Sequence, residues 1–185
     1  MNKRLQILIA FAAIALFAIT FGALGVQAQP SERAVPEAAA YEAVLGKSLN
    51  EPVVADFIAS NRCSSTGQFQ LCNDAGMALL IGEGQKVETV YLYPNAVADF
   101  AGFKGPLPLG LAANDTMASV EDKFGMPRVQ QALQAGREPG LPDTGGTPDY
   151  THYWAMYERF GVTLVYNSPS ATDKGATIHA ILVSQ

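Results

Sequence analysis

Apolar positions recur with a period of two on both sides of Gly76, and the same pattern returns around Gly161 at a constant offset of 85 residues. At that offset Phe69, Leu71, Met77 and Leu79 correspond to Trp154, Met156, Val162 and Leu164. A period of two marks a strand half-buried in a sheet, so each stretch predicts a β-hairpin. The turns fall at 73–76 and 158–161, where glycine supplies the positive φ that a tight turn needs. A third strand follows in each half, at 87–92 and at 178–183, now offset by 91 because the second connection, 167–176, is six residues longer.

Each half also opens with a short amphipathic helix. Val54, Phe57 and Ile58 form one apolar face, and Met117, Val120 and Phe124 the other. Asn50 and Asn114 are the expected N-caps, each followed by an acid that suits a helix start. Gly125 and Pro127 end the second helix. The pattern predicts an α+β protein: two tandem α-β-β-β half-repeats forming an antiparallel sheet covered by short helices. The predicted divisions are a lead-in at 29–40, a first repeat at 41–93, a Pro- and Gly-rich linker at 94–110 and a second repeat at 111–185. A long loop is expected at 136–149.

The chain's beginning changes the picture. Lys3 and Arg4 precede an apolar run over 7–26 that ends in Val26-Gln27-Ala28, the form of a secretory signal peptide cut after Ala28. The alternative is an uncleaved anchor, because about 20 apolar residues span a bilayer. Loss of Lys3 and Arg4 takes the formal charge from -5 to -7. That acidic balance argues against a nucleic-acid partner and against anionic membranes, and it favours a basic protein partner. With 49% hydrophobic and 16% charged residues over 185 positions, the chain has ample material for a core. Cys63 and Cys72 both lie in the exported part, so a disulfide is expected in a periplasmic or secreted location.

The segments Leu107-Pro108-Leu109-Gly110-Leu111, Asn114-Asp115-Thr116, Val120 and Phe124-Gly125-Met126-Pro127 resemble the helical entry of the β-lactamase inhibitory protein and small outer-membrane assembly lipoprotein superfamily. The resemblance covers 107–183 and, more loosely, 45–93. It implies short helices before an antiparallel meander, and a module that binds proteins through sheet and loop surfaces without catalysis. The chain departs from the assembly lipoproteins in having no lipid-bearing Cys near the predicted cut.

Candidate chemistry is sparse. His152 and His179 are the two histidines, and no Gly-x-Ser-x-Gly elbow surrounds a serine. Gly82-Glu83-Gly84 joins two strands rather than opening a helix, so it reads as a hairpin loop and not a phosphate cradle. Glu121 and Asp122 read as a solvated helix face. No catalytic residue, metal ligand or cofactor is therefore predicted. The remaining signal is aromatic: Tyr91, Tyr93, Tyr153 and Tyr157 are the candidate binding residues. If Trp154 faces the core, alternation turns Tyr153 and Tyr157 outward; the alternative is that the tyrosines pack between the halves, the linker and the long loop. The function expected is an exported, non-enzymatic protein-binding module of inhibitor or immunity type. The alternatives are a small periplasmic hydrolase using His152, or an envelope structural or assembly factor.

Overall fold

In the computed structural model, which describes residues 40–132 and 152–185, the order is one helix and four strands, then again one helix and four strands. Helix α1 is Pro52–Ser60, followed by β1 Ser64–Thr66, β2 Phe69–Cys72, β3 Met77–Ile81 and β4 Val87–Leu92. Helix α2 is Met117–Phe124, followed by β5 Val129–Ala132, β6 Tyr153–Tyr157, β7 Val162–Tyr166 and β8 Ile178–Ser184. Every strand joins one antiparallel sheet in the order β1-β2-β3-β4-β8-β7-β6-β5. This is the α+β architecture read from the sequence, with one more strand in each half than the three predicted. The added strands are the two sheet edges, which pair on one side only, and β1 is wholly polar, so neither needs the apolar alternation that betrays an inner strand. The predicted signal peptide, the lead-in up to residue 39 and the 136–149 loop lie outside the described residues.

The repeat extends to backbone detail. Gly76 and Gly161 have φ of 67° and 63°, each closing a one-turn 3-10 segment, Asn73–Ala75 and Glu158–Phe160. The register of β3 on β4 slips between Leu80 and Ile81, and that of β7 on β8 slips between Val165 and Tyr166, positions again 85 apart. Each slip leaves one bulged residue on the facing strand, Glu88 in β4 and His179 in β8. Both tie down the neighbouring connection: Glu88 Oε1 accepts from Glu83 N at 3.0 Å, and His179 Nδ1 lies 2.9 Å from Asn167 Oδ1. Isolated bridges before each helix, Ser48 to Lys86 and Thr116 to Thr177, complete the correspondence.

The two halves meet where β4 pairs with β8, from Thr89–Ser184 to Leu92–Ile181. Both helices cover the same side of this continuous sheet. Val54 and Phe57 from α1, with Met117 and Val120 from α2, pack against Leu79, Val90, Leu92, Leu164 and Ile181. Each such fully buried side chain contributes about 1.5–3 kcal/mol.

The helix starts differ from expectation. The N-caps are Glu51 and Thr116, not Asn50 and Asn114. Thr116 Oγ1 accepts from Ser119 N at 3.3 Å, while Thr116 N donates to Ser119 Oγ at 2.9 Å, a reciprocal box that satisfies two otherwise orphaned donors. Asn114 is displaced from the cap because Asp115 turns back to accept from Ala112 N at 2.8 Å, which moves the helix start two residues along. The predicted disulfide is present: Cys63 and Cys72, with Cα atoms 4.1 Å apart, staple β1 to β2.

Candidate functional site

The predicted tyrosine face is not at the surface. Tyr91, Tyr93, Tyr153 and Tyr157 are 2%, 0%, 3% and 5% exposed. Nor do they share one side: Tyr153 and Tyr157 join the core beneath the helices, whereas Tyr91 and Tyr93 belong to the cluster on the opposite side. Alternation along β6 holds as predicted, but its sense is reversed. The edge of Phe124 meets Tyr157 at 6.2 Å, so α2 supplies the apolar cover that draws the tyrosines inward, and Trp154 turns to the other side, half-buried.

Beneath α2, Tyr153, Tyr157 and Tyr166 lie in the core near the Glu121 carboxylate, and among the described residues their buried hydroxyls have no hydrogen-bond partner. Burial first, and then the negative charge of Glu121, push the Tyr157 phenol up to about 12. Glu121 is not simply solvated. It accepts from Lys174 Nζ at 2.6 and 2.7 Å, tying α2 to the β7–β8 connection. These are structural assignments; the phenols are held neutral and enclosed.

His152 is 6% exposed, and its ring lies 4.2 Å from that of His179, with the planes at 34°. Tyr93 meets His179 edge-on at 6.3 Å and stacks on Phe100 at 4.4 Å. The histidine considered as a hydrolytic base is thus an enclosed member of an aromatic row. Among the described residues, no group of three or more His, Cys, Asp or Glu is placed to hold a metal, and no helix is long and apolar enough to cross a membrane.

The feature that sequence reading missed is the sheet's second face. Opposite the helices, the strands present Phe69 and Leu71 from β2, Leu80 from β3, Tyr91 from β4, Leu182 from β8, Val165 from β7 and Trp154 from β6. Met156, in phase with Trp154, is 38% exposed. Ala78, Ala180, threonines and serines occupy further places on it, including the seam pair Thr89 Oγ1 and Ser184 Oγ at 3.0 Å. The only Asp, Glu, Lys or Arg in any described strand is Glu88, the exposed bulge residue near the start of β4. An antiparallel sheet with one face in water ordinarily alternates apolar with charged or polar residues. Here both faces are composed for burial.

The linker covers part of this second face. Val97 and Phe100 exchange backbone hydrogen bonds at 3.0 and 2.8 Å, forming a tight turn whose Phe100 ring seals Tyr93. Towards the flanks, Phe69, Leu71, Leu80 and Trp154 remain half-buried beside Met156. Phe69 and Leu71 are the repeat counterparts of Trp154 and Met156, so the two flanks carry the same kind of residue at matching places. The signal was visible in the sequence as those very pairs; the side of the sheet on which the helices sit was not. Comparison of the chain with protein-family models, with curated proteins and with solved structures finds no match.

Proposed function

We propose that this chain is an exported, non-enzymatic protein-binding module of inhibitor or immunity type that captures its partner on the helix-free face of the sheet. The observation that carries this reading is a wide strand surface with a single charged strand residue, Glu88 at the β4 bulge, flanked twice by aromatic and aliphatic side chains. Interface centres are depleted in charged residues and enriched in aromatics and Met. The disulfide supports an oxidising compartment. Apart from Glu88 the acidic residues of the described chain lie outside the strands, and a formal charge of -5 favours a basic partner by steering its approach.

The test is affinity capture with the oxidised protein as its host produces it, beside a Phe69→Ser/Trp154→Ser double variant and a Tyr153→Phe/Tyr157→Phe control. A stoichiometric partner is expected, bound at least about tenfold more weakly by the first variant and equally by the control. Undiminished binding by a folded Phe69→Ser/Trp154→Ser protein would remove the face from consideration. An empty capture would count against the module reading itself.

A further inference from the structure

The repeat shows what is left open in the second half. The paired positions Ser64–Leu71 and Val129–Met156 are equivalent, so Cys63 and Cys72 correspond to Arg128 and Tyr157. In the first half those places are closed by the disulfide. In the second, Arg128 and Tyr157 line a cleft of about 470 Å³ together with Phe124, Met126, Glu158 and Arg159.

The hairpin tips differ in the same direction. At the first tip the linker passes directly over the turn: Asn73 O accepts from Ala101 N at 2.9 Å, and Tyr93 O accepts from Phe103 N at 2.8 Å. The approach is so close that a Cβ on Gly76 would lie 2.2 Å from Ala101 O. The equivalent acceptors at the second tip are Glu158 O and Ser184 O. Among the described residues, Glu158 O receives Gly161 N within its own turn, and no crossing segment supplies either acceptor with a further N–H.

The chemistry of this open tip differs from that of the molecule at large. Met126 is 68% exposed, the most exposed of the large apolar residues described. Arg128 is ion-paired with Glu158 but its side chain is 76% exposed. Arg159 lies 4.3 Å over the Phe160 ring, donates to Phe124 O at 2.9 Å and lines the cleft, and among the described residues its other donors make no hydrogen bond. Two guanidinium groups against one carboxylate make this a locally cationic place in a chain of formal charge -5.

We propose that the β6–β7 tip and its cleft dock an extended acidic peptide segment of a partner protein, carrying one aromatic anchor. Two backbone N–H groups of the segment meet Glu158 O and Ser184 O, as Ala101 and Phe103 do in the first half. The aromatic ring enters beside Phe124 and Met126, and a carboxylate engages Arg128 and Arg159 in the bidentate geometry that guanidinium favours. This site is distinct from the helix-free face and does not depend on it.

The probe is the peptide acetyl-Asp-Phe-Ala-Gly-Phe-Asp-amide, which reproduces the crossing linker segment with an acid at each end. Its control carries Lys at both ends. Amide shifts of the oxidised, ¹⁵N-labelled protein as its host produces it are followed during titration. Saturable shifts are expected at Met126, at 158–161 and at Ser184. Affinity should fall at least about tenfold for the Lys peptide and for the Met126→Asp and Arg128→Glu variants, and remain unchanged in Phe69→Ser. No saturation at millimolar peptide, shifts centred elsewhere, or equal affinity for the two peptides would each overturn the proposal. Loss of binding in Phe69→Ser would place the peptide on the other face and overturn it as well.

Discussion

Gly76 and Gly161 share a left-handed backbone and differ in what surrounds them. Alanine at either one takes on a strained positive φ, which costs about 1 kcal/mol. At Gly76 the new methyl group also collides with linker backbone, whereas at Gly161 its neighbour is Ser184 O at 2.8 Å. Gly76→Ala is therefore expected to destabilise more than Gly161→Ala, by a margin visible in urea midpoints. Equal costs would contradict the tight linker crossing. Titration offers a second check at this scale. Burial works to raise the Asp115 carboxyl, but Lys123, Ala112 N–H and the Ser119 hydroxyl outweigh it and hold the group below its ordinary range. Its stabilisation is thus complete above the unfolded value of about 3.9 and is lost as pH falls through the lower folded value. Asp115→Asn should flatten the acid limb of a stability–pH curve. The phenols of Tyr41, Tyr91 and Tyr157, raised mainly by burial to about 12, behave oppositely. Their contribution is full below pH about 10 and disappears as pH rises towards 12, so tyrosinate absorbance should appear together with unfolding. The alternation that separates Tyr153 from Trp154 was legible in the sequence. Its sense was not, because Tyr and Trp both have an apolar body and a polar tip, and only the position of α2 decides which of them it covers.

Among the elements, β1 is the weakest. It is three exposed residues long, it is paired on one side, and the disulfide holds it to β2. Reduction is expected to cost about 2–3 kcal/mol through the freed short loop, and to raise hydrogen exchange at 64–66 before it affects β4 or β8. Uniform exchange across the sheet would show that the staple supports more than its edge. Helix α2 depends on a different local device, and Thr116→Ala should cost about 1 kcal/mol by opening the reciprocal cap. The inner hairpins could be read from period and turn glycine, since each carries its own signal. The edge strands and caps could not: β1 carries no apolar pattern, and several polar residues compete for each helix start until the turn before it is folded.

At the scale of the molecule, the decisive contact is the β4–β8 seam. The sequence repeats declare two similar halves, yet nothing in their periodicity states that the third predicted strand of each will lie side by side. Thr89 and Ser184 are a polar pair, silent in an apolar pattern, and they are separated by 95 residues. Because the seam makes one sheet of both halves, a single cooperative urea transition is expected, and a fragment of residues 41–93 should remain unfolded. Two separable transitions would show that the halves stand alone. The same seam sets an order of assembly. Hairpins β2–β3 and β6–β7 close locally and early, while β4 must hold an unsatisfied ladder until β8 has been made, since β8 follows every other strand in the chain. Loop closure over such a separation is slow, and an exposed ladder invites pairing with other chains in the interval. The interval between synthesis of β4 and arrival of β8 is therefore when this protein is most exposed to aggregation, and when a chaperone has the most to protect.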